Sequence, residues 1–288
     1  MRVLVVGKGV VGDATGYCLG RRGHEIVYHD PPRGLEGSIE GVDCALICVP
    51  TPRGALGYNS RSQVYRTADL LEHRGYRGPV GVRSTVVMGT CDELQLEFPM
   101  MTWFSWPEFL RAERAREMAG NPPYRVIGFS HWDEPAYAPL RARLLELADA
   151  IDTDPTCRLV RPVEAEFIKY ATNALLAGAV GLANELSELA EAYGLNWNAL
   201  VPPIAQMDGV LPGNVRVIDP GGFGGACLPK DLAALLFHAA RDKGVELPVL
   251  SAIEAENLRR RPGDAEGSSL GAPNTEGTAS VSPSGSGR

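Results

Sequence analysis

The first twelve residues constrain this chain more than any other stretch. Val3-Leu4-Val5-Val6 is a short apolar run of strand character, Gly7-Lys8-Gly9-Val10-Val11-Gly12 follows at once, and Asp13 to Arg22 reads as a helix. Strand, glycine turn and helix in that order make a dinucleotide-binding unit. Gly7 permits the tight turn, Gly9 lets the backbone approach a pyrophosphate, and Gly12 lets helix and strand pack closely. The helix N-terminus, with Val10 and Val11 at its start, offers N–H groups and a positive dipole end to the phosphates. A second strand, Glu25 to Tyr28, leads to Asp30, an acid placed for the ribose hydroxyls of NAD. Arg33 is close enough to meet a 2′-phosphate, but Asp30 would repel one, so NAD is expected over NADP.

Further strands are expected near Ala45–Val49, Val80–Arg83, Met101–Trp103, Arg125–Gly128 and Arg158–Val160, separated by helical or loop segments that include an amphipathic helix from Leu140 to Ala150. This alternation predicts an α/β fold, a Rossmann-type doubly wound parallel sheet over residues 1–160. From Pro162 onward the chain is helical and apolar, which predicts an all-helical central domain over residues 161–260. Small residues along Leu175-Leu176-Ala177-Gly178-Ala179-Val180 suit close helix packing. Residues 261–288 are rich in Gly, Ser, Pro and Thr and poor in large apolar side chains, a composition that cannot bury enough surface to fold. They are expected to form a disordered tail, so that a chain ending at Arg260 keeps its stability and activity.

Composition narrows the function classes. A net charge of −7 argues against nonspecific nucleic-acid binding. No apolar run approaches the roughly 18 residues of a membrane span. Met1-Arg2 runs straight into a strand, which leaves no room for a signal peptide. The six cysteines are scattered without metal-binding spacing, and the five histidines are isolated, so no metal site is expected. Cys44 and Cys48 flank one apolar strand and are expected in the core. Reduced thiols in a cytoplasmic protein are the natural reading.

Two segments carry chemistry. In Gly221-Gly222-Phe223-Gly224-Gly225-Ala226-Cys227-Leu228-Pro229-Lys230-Asp231 a cysteine ends a glycine run, just before a helix-like stretch from Leu232 to Arg241. A cysteine near a helix N-terminus, with Lys230 close by, is expected to have a lowered pKa and to act as a covalent nucleophile. Alone, it would be an inert cysteine on a flexible loop. In Glu164-Ala165-Glu166-Phe167-Ile168-Lys169-Tyr170-Ala171-Thr172-Asn173, which opens a long helix, Lys169 and Asn173 are four residues apart and share a face. A lysine and an amide side by side can hold an oxyanion or a water; alone, they would be a solvated lysine and a surface asparagine.

Taken together, these segments resemble the UDP-glucose/GDP-mannose 6-dehydrogenase family over roughly residues 1–258. Smaller matches are Val49-Pro50-Thr51-Pro52, Ser84-Thr85-Val86, Pro107-Glu108-Phe109-Leu110 and Arg125-Val126-Ile127-Gly128. The resemblance implies NAD as cofactor, with Thr51, Pro52, Thr85 and Lys230 beside it. It implies Cys227 as nucleophile and Lys169 with Asn173 as stabilisers of the reacting oxygen. Asp231 would order a water and Lys169, Glu108 would be a general base, and Thr85 would place a water. It further implies a homodimer formed through the central helices, and four-electron oxidation of a primary alcohol to a carboxylate through a Cys227 thiohemiacetal and thioester.

Three departures stand out. Family members usually continue into a second Rossmann-like domain that closes over the nucleotide, whereas here the helical pattern ends near Arg260. The family often has an arginine shortly after Met-Asp, and here Met207-Asp208 is followed by no arginine before Arg216. The acid after Pro-Glu-Phe-Leu is displaced by one position, to Glu113. The alcohol is therefore left open between a nucleotide sugar and a smaller hydroxyl compound. Two other readings stay open: a two-electron dehydrogenase of the 6-phosphogluconate or β-hydroxyacid type, which has no use for the cysteine, and a non-catalytic NAD-binding remnant.

Overall fold

The computed structural model describes residues 1–54, 57–120, 125–131, 133–151, 157–206, 221–225 and 227–262. The first part of the chain runs β1 (Arg2–Val6), α1 (Val10–Arg21), β2 (Glu25–Asp30), β3 (Leu35–Glu36), β4 (Cys44–Ile47), α2 (Ser62–His73), β5 (Pro79–Val82) and α3 (Thr90–Glu97). It continues through β6 (Thr102–Ser105), α4 (Ala115–Gly120), β7 (Arg125–Gly128), α5 (Ala138–Ile151) and β8 (Cys157–Val160). Four helices follow: α6 (Pro162–Ala192), α7 (Trp197–Ile204), α8 (Leu228–Lys243) and α9 (Pro248–Arg260).

The strands form one eight-stranded sheet in the order β3-β2-β1-β4-β5-β6-β7-β8. Alternate residues of β1 serve opposite faces. Val3 and Val5 join Leu46, Phe104 and Ile127 beneath α1, α4 and α5, whereas Leu4 and Val6 join Ile47, Val80 and Val82 beneath α2 and α3. A sheet covered on both sides explains why its strands read as unbroken apolar runs. β1 lies between β2 and β4 and is parallel to both, so the strand order reverses direction there and opens a crevice at the C-terminal strand ends.

The sheet is not wholly parallel. β3 pairs antiparallel with β2, and β7 meets β6 antiparallel at the single pair Ser105↔Gly128, with β8 then parallel to β7. β3 has only two residues, too few to show a period. The turn-around between β6 and β7 leaves no mark in an apolar run, which reads alike in either direction.

α6 is the strut of the helical part. Its N-terminus sits on the end of β7, where a Cβ at Gly128 would fall 2.6 Å from Pro162 Cα and 2.8 Å from Ala165 Cβ. Only glycine permits that approach without displacing the helix. Ala177 and Val180 pack with Phe223, Leu232 and Leu236, while Gly178 and Gly181 admit Ile253 of α9. The small residues thus serve packing within the chain. Leu175, Leu182, Leu186 and Leu189 form a separate exposed set on the same helix.

The end of α9 folds back onto the glycine run before Cys227. Asn257 Nδ2 donates to Phe223 O at 3.1 Å, and Arg260 pairs with Glu188 at 2.7 Å. The Arg261 guanidinium lies 2.9 Å from where a Cβ would stand at Gly224, and its aliphatic stem covers Gly222, whose φ is +85°. Arg261 therefore packs with the helical part, although it heads the segment expected to be a tail. Residues 263–288 lie outside the described residues. Loss of such a contact costs on the order of 1 kcal/mol, so a chain ending at Arg260 should melt about 2–4 °C below one ending at Pro262. Scanning calorimetry of the two chains checks this, and equal melting temperatures would show that Arg261 contributes nothing.

Candidate active site

The glycine turn stands at the reversal point of the sheet. Gly7 has φ +89°, and a Cβ there would press to 2.7 Å from Cys48 O; a Cβ on Gly12 would lie 1.9 Å from Gly7 O. Both positions demand glycine. Gly9 differs, since a Cβ there meets nothing within 4 Å, and Gly9 and Val10 are exposed. Gly9, the N-cap residue of α1, brings no side chain to cap it. The turn thus leaves open backbone and open space at a positive helix end, as a pyrophosphate requires. Asp30 Oδ2 accepts from Lys8 N at 2.7 Å and lies 3.5 Å from Arg33 Nε, which leaves Oδ1 without a hydrogen bond among the described residues. A carboxylate oxygen at the end of β2, held beside the turn, suits ribose hydroxyls. Thr51 Oγ1 donates to Thr85 O at 2.8 Å, joining the loop after β4 to the loop after β5, and Pro52 is exposed beside it. These residues fit NAD.

Across the crevice, α6 brings two of the expected residues in from the helical side. Lys169 Nζ donates to Glu108 Oε1 at 3.2 Å; both residues are buried, and the ammonium stands 5.3 Å from the centre of the Phe109 ring. Glu108 is set by Leu110 N, which donates to Oε2 at 2.6 Å. Asn173, one turn along α6, donates to Asp231 Oδ2 at 2.7 Å, and Lys230 donates to Asp231 Oδ1 at 2.5 Å. Lys169 is therefore paired with Glu108, and it is Lys230 and Asn173 that engage Asp231. Removing one member of a buried pair such as Lys169–Glu108 costs about 3–5 kcal/mol, because the other charge is left uncompensated.

Cys227 is the N-cap residue of α8 and is exposed at the mouth of this cluster. The expectation of a lowered pKa is reversed. Loss of water around the sulfur raises it first, and the Asp231 and Glu108 carboxylates add to the rise; Lys169 and Lys230 pull the other way with less effect. Each lysine is already committed to one of those carboxylates, so little positive field is left for the sulfur. The resting group is a thiol.

Four contributors were not picked out by sequence reasoning. Asn59 Nδ2 donates to Tyr170 Oη at 2.7 Å and to Asp231 Oδ1 at 3.3 Å. Arg83, buried at the end of β5, lays its guanidinium 4.4 Å from the Trp106 ring centre, and burial lowers its pKa while Cys48 and Glu108 oppose that. Glu166 lies one turn before Lys169 on α6 and is buried. Glu166 and Tyr170 were within reach of helical periodicity, and Arg83 of its place after an apolar strand. Nothing local marks Asn59. Met207 to Arg216 lie outside the described residues, as does Ala226. No helix among the described residues is long and apolar enough to cross a membrane.

A glycine-turn sheet domain, joined to helices that carry lysine–carboxylate pairs beside a cysteine, defines a nicotinamide-dependent dehydrogenase. Residues 163–259 match the central domain of the UDP-glucose/GDP-mannose dehydrogenase family. The GDP-mannose 6-dehydrogenase of Pseudomonas putida strain KT2440 is 31% identical, the match covering 89% of this chain and 68% of that protein. The UDP-glucose 6-dehydrogenase of Rickettsia conorii is 26% identical, over 90% of this chain and 67% of that protein. Among solved structures, a UDP-glucose dehydrogenase from Pyrobaculum islandicum superposes with a TM-score of 0.76 at 25% identity, over 90% of this chain and 68% of that one. The chain belongs to the UDP-glucose/GDP-mannose dehydrogenase family, and is an NAD-dependent dehydrogenase acting on a CH–OH group.

The charge balance at Cys227 has a direct readout. Its alkylation by iodoacetamide should rise with pH through a midpoint above the ~8.5 of a free thiol, since only the thiolate reacts. Asp231→Asn, which removes a carboxylate and frees Lys230, should move that midpoint down. A wild-type midpoint near pH 7 would overturn this assignment.

Proposed function

We propose that the protein oxidises a primary alcohol to a carboxylate in two successive two-electron steps, with Cys227 as the covalent nucleophile. The observation that supports this most is the gathering of Lys169–Glu108 and Lys230–Asp231–Asn173 around an exposed cysteine at a helix N-terminus. The glycine turn and Asp30 would hold NAD, which would supply the hydride acceptor.

Lys169 and Asn173 stabilise negative charge on the reacting oxygen, an effect worth ~3 kcal/mol per donor when aimed at the transition state. Both donate to carboxylates in the resting site, so the substrate oxygen competes with Glu108 and Asp231 for them. Glu108 takes the alcohol proton as the first hydride leaves, giving an aldehyde. The Cys227 thiol loses its proton and the sulfur adds to that aldehyde, forming a C–S bond and an alkoxide that is protonated to a thiohemiacetal. Loss of a second hydride and a proton gives the thioester. Thr85 and Asp231 place the water that cleaves it, which releases the carboxylate and returns the thiol. One alcohol and one water become one carboxylate, with the loss of two hydrides, for which two NAD would be the acceptors, and three protons. The covalent step keeps the aldehyde from escaping between oxidations.

The substrate class is a nucleotide sugar or a smaller hydroxyl compound, and GDP-mannose and UDP-glucose, acted on by the named relatives, are the first to test. The exposed Leu175, Leu182, Leu186 and Leu189 on α6 support a homodimer formed through the central helices. Sedimentation at micromolar concentration should give a dimer, and Leu182→Glu with Leu186→Glu should give a monomer.

Wild type should yield two NADH and one carboxylate per substrate consumed. Cys227→Ser should release aldehyde with one NADH, or accumulate a covalent ester seen by intact-protein mass spectrometry, because a hydroxyl is a far poorer nucleophile than a thiolate near neutral pH. One NADH per substrate in wild type, with Cys227→Ser fully active, would replace this reading by the two-electron dehydrogenase.

A further inference from the structure

Glu166 has no part in the chemistry above, yet it is 2% exposed near the N-terminus of the catalytic helix. Its Oε2 accepts from Gly89 N at 2.6 Å, and its Oε1 accepts from Cys91 N at 3.0 Å. Gly89 is the N-cap residue of α3, has φ +93°, and no local side chain caps that helix. The cap is delivered instead from α6. A carboxylate at a helix N-terminus satisfies otherwise unpaired N–H groups and meets the positive end of the dipole.

The segment immediately before this cap is Ser84 to Met88, which carries Thr85. Its other end is tied to the loop after β4, where Thr51 donates to Thr85 O at 2.8 Å and Ser84 donates to Val49 O at 2.7 Å. The loop is therefore pinned at one end by the sheet domain and at the other by α6, one turn from Lys169.

The surroundings of Glu166 disfavour its ionised form. From α3 it faces the Cys91 thiol and the Asp92 carboxylate, and from its own helix Tyr170. Arg61, just before α2, is committed to Thr90 Oγ1 and Glu93. Burial pushes the Glu166 carboxyl up to about 7; the two N–H bonds and Cys91 lower it by less, and Asp92 adds to the rise. With a folded pKa above the unfolded value, the folded state binds more protons in that window. Stability accordingly falls as pH climbs from about 4.3 toward 7, and the ionised group then costs the fold stability.

We infer that Glu166 is a positioning residue for the reaction, a staple that fixes the Thr85 loop at a set distance from Lys169 on the catalytic helix. The assignment of Thr85 and Lys169 to the reaction rests on the function proposed above, whereas the staple itself can be read without substrate.

Glu166→Gln keeps the shape but offers only one acceptor and turns an amide N–H2 toward the other backbone N–H. Hydrogen exchange on the protein alone should show residues 84–91 exchanging about tenfold faster in the variant, the effect of losing one buried hydrogen bond, with α2 unchanged. The melting temperature of the variant relative to wild type should rise as pH goes from 5 to 8, because the variant no longer buries a charge. With NAD and the best alcohol found, kcat at pH 8 should fall about tenfold while KM for NAD stays within twofold.

Unchanged exchange at 84–91 would overturn the staple, whatever the protein's reaction. Faster exchange with unchanged kcat, or a loss of kcat that tracks a loss of melting temperature at every pH, would overturn the positioning role. Failure of the two-NADH stoichiometry with these three results intact would instead fault the proposed chemistry.

Discussion

One stripe of α6 sets the relation between the two halves of the molecule. Glu166, Lys169 and Asn173 follow one another at helical spacing, all are buried, and each bonds to a different element: the N-terminus of α3, Glu108 after β6, and Asp231 at the start of α8. Buried polar groups must be satisfied. A helix with three of them in a row can dock in only one rotation and one axial position, since a slip of one residue would strand a carboxylate and an ammonium together. Gly128 lets the N-terminus of α6 sit directly against the end of β7. Lys169 and Asn173 of this stripe hold the carboxylates beside Cys227, so the register of α6 sets that part of the site.

The electrostatics of that site favour latency. Two lysines and two carboxylates neutralise one another in pairs, and the cysteine among them is held as a thiol by lost hydration and by the carboxylates. A partly dehydrated position without net positive charge is a poor place to store a thiolate. Nucleophilicity then arises within the proposed reaction, as substrate oxygen competes for Lys169 and Asn173 and shifts the balance of the pairs. A thiol at rest also resists oxidation better than a thiolate, which is an advantage for a residue exposed at the mouth of its cleft.

The glycine run before Cys227 depends on the far end of the helical part in a similar way. Its backbone is covered by Asn257 and Arg261, so the last turn of α9 and the residue after it shape the approach to the cysteine. The same helix end carries the Arg260–Glu188 pair to α6. Position of the cysteine, end of α9 and body of α6 therefore form one packed unit.

What could be read from the sequence was whatever the local backbone enforces. Gly7 and Gly12 announced their turn because no other residue avoids a clash there, Asp30 because it ends a strand beside that turn, and Lys169 with Asn173 because helical spacing alone puts them on one face. Cys227 was legible as the end of a glycine run before a helix. Pairing was not legible. Lys169 meets Glu108 across 61 residues, and Asp231 meets Asn59 across 172. Neither choice of partner follows from spacing. The direction of the Cys227 pKa was misjudged for the same reason: proximity in sequence to Lys230 was visible, but the carboxylates and the loss of water came from packing. Local geometry is a property of short stretches of chain, and a sequence states it outright. Charge balance is a sum over everything folded around a point, and only the tertiary structure performs that sum.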